Sequence, residues 1–429
     1  MLYAARMRPA SRAFTLVTAA VLAAAVGCSG CSRSTERVLT FSGSLVGREG
    51  EVIRRQLDRF QQENPSLRVA LRPTPDAADQ RHQLYVQWLN AHASDPDVLQ
   101  LDVIWTAEFA AAGWIHSLDR FTPSTEDFFA TTLAANRWNG ALYALPWFVD
   151  VGMLYWRTDL LPHAPRDLGE LIALARQAQD AHGLPFGFVW QGGRYEGLVT
   201  AFVEHLGAFG GTILDEEGQV AVDSPAAVDA LTAMRDLIYA HGVSPEAVLT
   251  WQEEQTRFAF QNGEAALMRN WPYAYSLLQE ASTSKVAGRF AVAPLPAASG
   301  GVPTAALGGS QLAINRFSEQ PDAAYRLIDY LLQPAQMIER ARIAGQFPPR
   351  PSLYASEGLA AALDMPLDAA RHVIEHAVPR PVTPVYSELS QILQVALHRA
   401  LTRQQEPRAA LEDAAASMRR LLEKAKLAA

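Results

Sequence analysis

The chain has 429 residues, of which 49% are hydrophobic and 19% are charged, and its formal net charge is −8. This length exceeds what one hydrophobic core usually supports, so it predicts two domains, and the composition excludes a disordered chain. The acidic balance, without any run of five basic residues, argues against nucleic acid as a partner, because phosphate backbones require clustered Lys and Arg.

The N-terminal segment has the pattern of a secretory signal. Three arginines precede a mostly apolar run at 13–26. This run is too short to span a bilayer, but it suits the core of a signal peptide covering residues 1–27. The small residue before Cys28 resembles the bacterial lipobox, which implies lipidation of Cys28 and a membrane anchor on the periplasmic or extracytoplasmic side. The alternative is an ordinary signal peptide cleaved near the same position.

Strand and helix patterns alternate along the next part of the chain. Strands are predicted at 38–43, 69–74 and 101–105, and helices at 49–63, 79–93 and 106–112. A βαβαβ order of this kind is typical of a mostly parallel sheet with helices on both faces.

The rest of the chain mixes fewer strands with more helices. Two strand-like runs are predicted within 141–161, one on each side of Pro146. Later helices are predicted at 167–181, 196–207, 224–241 and 253–267, with strands at 289–296 and 305–314 and a nearly all-helical C-terminal third. We expect the strand-like segments near 145–155 and 305–314 to cross between the two domains.

Motifs of the common catalytic and metal sites are missing. The sequence holds no Gly-x-Ser-x-Gly elbow, no His-Glu-x-x-His and no P-loop, and its ten histidines are scattered. We therefore predict neither a catalytic motif nor a metal site nor a cofactor. A glycosidase needs only two carboxylates, so an extracytoplasmic glycoside-acting enzyme with paired carboxylates is the alternative function. A surface adhesin or signalling receptor is a third.

Two acids and two aromatic residues stand out for their positions. Asp102 interrupts the apolar run 101–105, and Asp150 interrupts a predicted crossing strand. An acid within a buried strand must be satisfied by a partner or a ligand. Trp271 and Tyr273 flank a proline in "MRNWPYAY", which predicts a bend or a helix start that aims both rings in one direction. By residue type alone these rings would be core residues, as most aromatic side chains are.

Several blocks of the sequence resemble, in order, the extracellular solute-binding proteins of ABC sugar importers (family 1), in their trehalose/maltose-binding branch. They include "DPDVLQLDVIW" (95–105), "YALPWFVDVGMLYWRTDLL" (143–161), "FQNGEAALMRNWPYAY" (260–275), "ALGGSQLAI" (306–314) and "HAVPRPVTPVYSELSQI" (376–392). The resemblance runs from about Val38 to about Leu422 and implies an α/β fold. Its expected form is the type II, maltose-binding-protein-like periplasmic-binding-protein fold, with two lobes joined by hinge-crossing strands. The implied lobes are 36–147 plus 310–352 and 148–309 plus 353–429.

The same resemblance implies a set of residues that bind a sugar in the cleft between the lobes. Its pattern carries over to Glu49, Arg81, Asp102, Phe148, Asp150, Trp271, Tyr273, Gly309 and Arg380. Glu196 is a weaker candidate, because it equally suits the first turn of the helix that follows, and Tyr275 is predicted to be structural. Phe148 stands where the pattern commonly has tyrosine and Ser310 where it often has tryptophan, so trehalose, maltose and related glucosides are not ranked.

The resemblance also implies how the protein works and with what. A monomer anchored by its lipid would bind a disaccharide without catalysis or cofactor, close around it, and deliver it to the permease subunits of an ABC transporter.

Overall fold

The computed structural model describes residues 38–363, 365 and 367–428. The predicted signal peptide and Cys28 lie outside the described residues. Within the described ranges, every helix falls short of the combination of length and apolar character that crossing a membrane requires.

The strands of the described chain form three sheets. They are β1 (Val38–Gly43), β2 (Arg68–Pro73), β3 (Val98–Asp102), β4 (Arg137–Trp138), β5 (Ala141–Leu142), β6 (Ala144–Val151), β7 (Met153–Arg157), β8 (Phe186–Val189), β9 (Ala265–Asn270), β10 (Phe290–Ala293) and β11 (Leu307–Ile314).

Helices cover these sheets and make up most of the C-terminal third. They are α1 (Glu49–Glu63), α2 (Ala78–Asn90), α3 (Thr106–Ala111), α4 (Ala130–Ala134), α5 (Leu168–His182), α6 (Glu196–Ala208), α7 (Pro225–Tyr239), α8 (Glu253–Gln261), α9 (Tyr273–Leu278), α10 (Pro321–Leu331), α11 (Pro334–Ala344), α12 (Glu357–Ala362), α13 (Leu367–Glu375), α14 (Tyr386–Leu401) and α15 (Pro407–Ala428). Short 3₁₀ turns occur at Asp119–Phe121, Glu246–Thr250 and Pro351–Ala355.

The first lobe is built around a five-stranded sheet with the order β2-β1-β3-β11-β6. Strand β1 pairs in parallel with β2 and β3, as the predicted βαβαβ start requires. Strand β11 enters from far along the chain and pairs antiparallel with β3 and β6. Apolar residues such as Phe41, Ile53 and Leu312 are buried between this sheet and its helices. The carboxyl ends of β1 and β3 therefore meet at one edge of the sheet.

The second lobe is built around a four-stranded sheet with the order β10-β7-β9-β8. Strand β7 follows β6 after the single residue Gly152, so the chain passes directly from the first sheet to the second. Helices α6, α7, α14 and α15 pack on one another beside this sheet. Their core includes Phe202, Leu231 and Leu393, all fully buried.

The C-terminal helices divide between the two lobes. Helices α12 and α13 contact α11, the 3₁₀ turn 351–355 and β6, which belong to the first lobe, whereas α14 packs against α6 and α7 of the second. The intervening segment 376–385 also bonds to the other crossing region, because the amide of Leu307 donates to the carbonyl of Val378 at 2.8 Å. These contacts argue for a chain crossing in 376–385, later than the predicted boundary at 352–353.

Two predicted strands differ from the observed ones. The strand predicted at 101–105 is β3, which ends at Asp102, and a turn follows it. Asp102 therefore lies at the carboxyl end of its strand and not in the middle. Pro146 lies inside β6 and does not separate two strands. Strand β6 tolerates the proline because it is an edge strand of its sheet.

The helix predicted at 253–267 is correct only in its first part. Helix α8 ends at Gln261, and Gly263 adopts a left-handed φ of +76°, which stops the helix. The apolar residues after it form β9, which is buried along its whole length. Short apolar runs of this kind fit a buried strand and a helix equally well, because a fully buried strand shows no alternation.

Candidate functional site

A cleft of about 310 Å³ lies between the two lobes. The first lobe lines it with residues that follow β1 and β3 and with the facing parts of β6 and β11, and the second lobe with the starts of α6, α8 and α9. All nine residues predicted to bind a sugar line this cleft: Glu49, Arg81, Asp102, Phe148, Asp150, Trp271, Tyr273, Gly309 and Arg380. The structure thus brings together side chains that are spread over 332 positions of the sequence, from 49 to 380.

Glu49 opens α1 and is buried at the base of the cleft. Its carboxylate accepts hydrogen bonds from Ser44 Oγ and Gln346 Nε2, both at 2.5 Å. Burial raises the pKa of Glu49 above its ordinary value, although the Ser44 hydrogen bond and the charges of Arg340 and Arg81 act in the opposite direction. The acid is therefore held in a fixed orientation by partners from two distant parts of the chain.

Arg81 is buried in α2 and is not a surface charge. Its Nη1 donates to the carbonyls of Pro75 and Asp76, at 3.1 and 3.0 Å, and its guanidinium lies 5.2 Å from the ring centre of Trp105. Its Nε is buried without a hydrogen-bond partner among the described residues. This donor is available to a ligand that can reach it.

Arg380 connects the two lobes across one side of the cleft. It donates to Glu196 Oε1 at 2.6 Å in the second lobe and to Asp102 Oδ1 at 3.3 Å in the first. Burial by itself would lower the pKa of Arg380, but the charges of Asp102 and Glu196 outweigh it and raise that pKa above its ordinary value. The predicted need of Asp102 for a partner is thus met by the protein itself.

Glu196, the weaker candidate, is buried in the cleft wall as the first residue of α6. Besides Arg380, it accepts hydrogen bonds from Tyr386 Oη at 2.8 Å and from Ser390 Oγ. Burial raises the pKa of Glu196, and the Arg380 charge with these hydrogen bonds offsets the increase in part. Glu196 therefore both begins a helix and lines the cleft, so the two alternatives for this residue do not exclude each other.

Asp150 is the acid of the cleft with an unsatisfied oxygen. Its Oδ1 is buried and has no hydrogen-bond partner among the described residues. Burial, followed by the like charges of Glu49 and Asp102, raises the pKa of Asp150 to about 8, while Arg269 opposes the increase. An acid in this state favours a ligand that supplies hydrogen bonds to it.

Trp271 and Tyr273 form an aromatic wall at the start of α9, as the proline between them predicts. Their polar tips bond to consecutive glutamates of α8: Trp271 Nε1 donates to Glu253 at 3.3 Å, and Tyr273 Oη donates to Glu254 at 2.7 Å. The rings are thereby fixed while Trp271 remains half-buried. Tyr275, predicted to be structural, packs edge-on against Phe290 at 5.2 Å and does not line the cleft.

Steric crowding explains why the paired positions 308 and 309 of β11 are both glycine. A Cβ added at Gly308 would lie 3.2 Å from the Trp271 ring and 3.5 Å from the Cβ of Asp150, so glycine lets both residues pack closely on this strand. Gly309 has a φ of +113°, and a Cβ there would lie 2.3 Å from the carbonyl oxygen of Phe148. The register between β11 and β6 shifts directly afterwards, at Ser310.

The two positions that depart from the sugar-binding pattern are both occupied by buried side chains. The Phe148 ring packs against Trp147 at 5.4 Å and lacks the hydroxyl of the usual tyrosine. Ser310 accepts a hydrogen bond from Gln100 Nε2 at 2.9 Å. This wall of the cleft is therefore polar and compact where a tryptophan would have been large and flat.

Several cleft residues escaped the sequence prediction. They include Ser44, Gln100, Tyr195, Glu253, Glu254 and Gln346. Tyr195 has a buried hydroxyl beside Glu253, and both residues line the cleft, which makes Tyr195 a further candidate for a ligand contact. The sequence held a signal for Tyr195, because this residue stands directly before the candidate Glu196 at a predicted helix start. Gln346 lies in a loop, where no comparable sequence signal marks it. Within the described ranges, no group of three or more His, Cys, Asp or Glu side chains is arranged to hold a metal ion.

Comparison with known proteins identifies the family to which this chain belongs. Residues 47–338, well over half of the chain, match the family described as "Bacterial extracellular solute-binding protein". A probable ABC transporter-binding protein of Deinococcus radiodurans is 36% identical over 409 residues, which cover 92% of this chain and 96% of that protein.

Solved structures of similar fold match this chain across both lobes. Maltose-bound MalE3 of T. maritima is 44% identical, with a TM-score of 0.86 over 89% of this chain and 99% of its own. The GacH receptor of Streptomyces glaucescens, at 24% identity and a TM-score of 0.82, covers 90% of this chain and 98% of its own and shares the fold. The predicted two-lobe, type II binding-protein fold is confirmed. The chain belongs to the bacterial extracellular solute-binding proteins, a family of binding proteins and not of enzymes.

Proposed function

We propose that this protein captures a disaccharide, namely trehalose, maltose or a related glucoside, in the interlobe cleft and delivers it to the permease of an ABC importer. The relative from D. radiodurans is named a probable ABC transporter-binding protein, and the 44% identical MalE3 structure is maltose-bound. The first name supports a role in transport, and the second structure supports a sugar as the ligand. The preference for trehalose or maltose rests on the resemblance to that branch of the family.

One observation carries the proposal. Among the described residues, buried polar atoms without a partner occur on three residues that line the cleft: Arg81 Nε, Asp150 Oδ1 and Arg380 Nε. A buried polar group without a partner is costly, so native proteins rarely keep several around one cavity unless a ligand or water completes them. The set contains donors and acceptors, which suits a rim of hydroxyl groups.

The aromatic wall supplies the other half of the recognition. A sugar ring has an apolar C–H face, which Trp271 can cover, and a hydroxyl rim, which Asp150 and the arginines can bind. Because Trp271 and Asp150 both pack around Gly308 and line the cleft, one sugar ring can contact both.

Calorimetric titration of the purified protein with trehalose and with maltose tests the proposal. We expect stoichiometric binding of at least one of them, with the sugar recovered unchanged by chromatography. No binding of either would contradict the preference for trehalose or maltose. Release of glucose at catalytic rates would support the glycoside-acting alternative, and a partner protein retained without any sugar would support the receptor alternative.

The sequence pattern at Cys28 supports a lipid anchor and a periplasmic or extracytoplasmic location. Several acyl chains hold a protein stably at a membrane, whereas one chain binds only marginally. We expect Cys28→Ser to move the protein from the membrane fraction to the soluble fraction or to leave it unprocessed, and Cys31→Ser, as a matched control, to change neither. Unaltered membrane association of a normally cleaved Cys28→Ser protein would contradict the anchor.

A further inference from the structure

A buried ion pair lies behind the aromatic wall of the cleft, in the second lobe. Glu204 of α6 and Arg269 of β9 are each only 2% exposed in their side chains. Arg269 donates from Nε to one carboxylate oxygen at 2.8 Å and from Nη2 to the other at 2.5 Å. Its remaining Nη1 donates to Gln191 at 3.1 Å. This is a two-point, charge-assisted contact in a dry environment, which fixes the guanidinium plane.

The guanidinium lies against the ring of Trp271. Its Cζ is 3.9 Å from the ring centre, a cation–π contact on one face of the indole. Trp271 also lines the cleft, so the opposite face is the one that a ligand can cover. Arg269 therefore packs against Trp271, a residue of the cleft, but does not line the cleft itself.

The same ion pair touches two of the segments that join the lobes. The amide of Ala306, directly before β11, donates to Glu204 Oε1 at 3.4 Å. A Cβ added at Gly152, the single residue between β6 and β7, would lie 1.8 Å from that oxygen and 2.8 Å from Arg269 Nη2. The backbone of Gly152 thus packs directly on the pair. A movement of either crossing segment must displace the pair or slide over it.

We propose that Arg269 and Glu204 are positioning residues: the pair holds Trp271 in its sugar-binding orientation and links that orientation to the segments that cross between the lobes. This inference rests on the proposed sugar-binding function. It goes beyond that function, because neither residue was among those predicted to bind the ligand, and neither lines the cleft.

The test uses a variant that removes both charges, because a single substitution would leave a lone buried charge and could unfold the protein. Glu204→Gln with Arg269→Met keeps similar volumes, and its folding is checked by thermal unfolding. Calorimetry with the disaccharide that the wild-type protein binds should show an affinity about tenfold weaker, since the ring loses the cation behind it. The matched control is Arg157→Met, which removes a guanidinium bonded to Asp159 at the far end of β7. The control should lose stability but bind normally.

A double-mutant cycle separates positioning from general damage. If the pair acts through Trp271, adding the pair substitution to Trp271→Ala should weaken binding by no more than about twofold beyond Trp271→Ala alone. A full additional tenfold loss, or wild-type affinity in the pair variant, would overturn the positioning role.

Hydrogen exchange tests the link to the crossing segments without any ligand. The amides of 305–307 should exchange faster in the pair variant than in the wild type and in Arg157→Met, because Ala306 loses its charged acceptor. Equal exchange in all three proteins would overturn that link. If the wild-type protein binds no disaccharide, the proposed function fails, and this exchange measurement still decides whether the pair holds the crossing segments.

Discussion

At the scale of single residues, Trp271 decides whether the aromatic wall is a ligand platform. Trp271→Ala should remove roughly 100 Å² of apolar contact, worth about 2–3 kcal/mol or roughly a thirty- to 150-fold loss of affinity. Calorimetric titration measures the loss. Tyr275→Ala is the control, because Tyr275 packs on Phe290 away from the cleft, so it should lower the melting temperature and spare the affinity. Normal binding by folded Trp271→Ala would assign the ring to the core.

Asp150 predicts a pH dependence of stability. Its pKa is raised to about 8, so between roughly pH 4 and pH 8 the folded protein keeps a proton that the unfolded chain has released. The free energy of unfolding of the ligand-free protein should therefore fall as the pH rises through this range. At on the order of 1.4 kcal/mol per pH unit, the loss between pH 6 and pH 8 should be about 3 kcal/mol at most.

The Asp150→Asn variant lacks the titrating group, so the pH dependence of its stability is compared with that of the wild type. Urea unfolding at pH 6 and pH 9, without sugar, should show a smaller loss of stability in the variant than in the wild type. The variant should also bind the disaccharide more weakly at pH 9, because a charged acceptor for the hydroxyls is lost. An identical pH dependence in both proteins would mean that Asp150 has an ordinary pKa.

At the scale of elements, the paired strands β6 and β11 depend on one glycine. Gly309→Ala should strain the left-handed backbone and push a Cβ against the Phe148 carbonyl, 2.3 Å away. We expect a loss of about 3 kcal/mol or more in urea unfolding. Gly183→Ala is a matched control, because Gly183 has a φ of +65° but open space around it. The control should cost only about 1 kcal/mol, and equal losses would remove the steric argument.

Helix α9 contributes to the contact between the lobes as well as to the cleft. A Cβ added at Gly47 would lie 2.9 Å from the Tyr273 ring, and one at Gly345 would lie 3.0 Å from the carbonyl oxygen of Pro272. Both glycines belong to loops of the first lobe. Tyr273 is buried partly by these loops, which explains why a predicted ligand residue is only 5% exposed.

At the scale of the whole molecule, the lobes are joined by the backbone near Gly152, by 305–307 and by 376–385. Few connections of this kind allow rotation of the lobes through small changes in backbone angles. We propose that sugar contacts from both lobes favour a closed state that the importer recognises. Arg380 already bonds to both lobes, so such a movement would change its hydrogen bonds.

Small-angle X-ray scattering tests this closure. Saturating disaccharide should reduce the radius of gyration of the wild-type protein. The Trp271→Ala variant at the same sugar concentration should show a smaller change, because it binds less ligand. Superimposable curves with and without sugar, at a concentration that calorimetry shows to be saturating, would contradict closure.

The sequence by itself determined the order of most elements, the two-lobe family fold and nine of the residues that line the cleft. It could do so because the spacing of apolar residues, which predicts helices and strands, is visible within short stretches of sequence. The blocks that resemble the family are likewise contiguous in the sequence. Boundaries failed where local signals were ambiguous, as for β9, whose buried residues show no alternation.

Only the tertiary structure decided which polar groups are already satisfied and which remain for a ligand. Glu49 and Gln346 are 297 positions apart, and Arg380 and Asp102 are 278 apart. No local pattern encodes such pairs, since each depends on how two sheets and their crossing segments pack. The same holds for Glu204 and Arg269, whose residue types are ordinary in sequence. Their burial behind Trp271 exists only because α6, β9 and the chain crossings meet at one place in the folded protein.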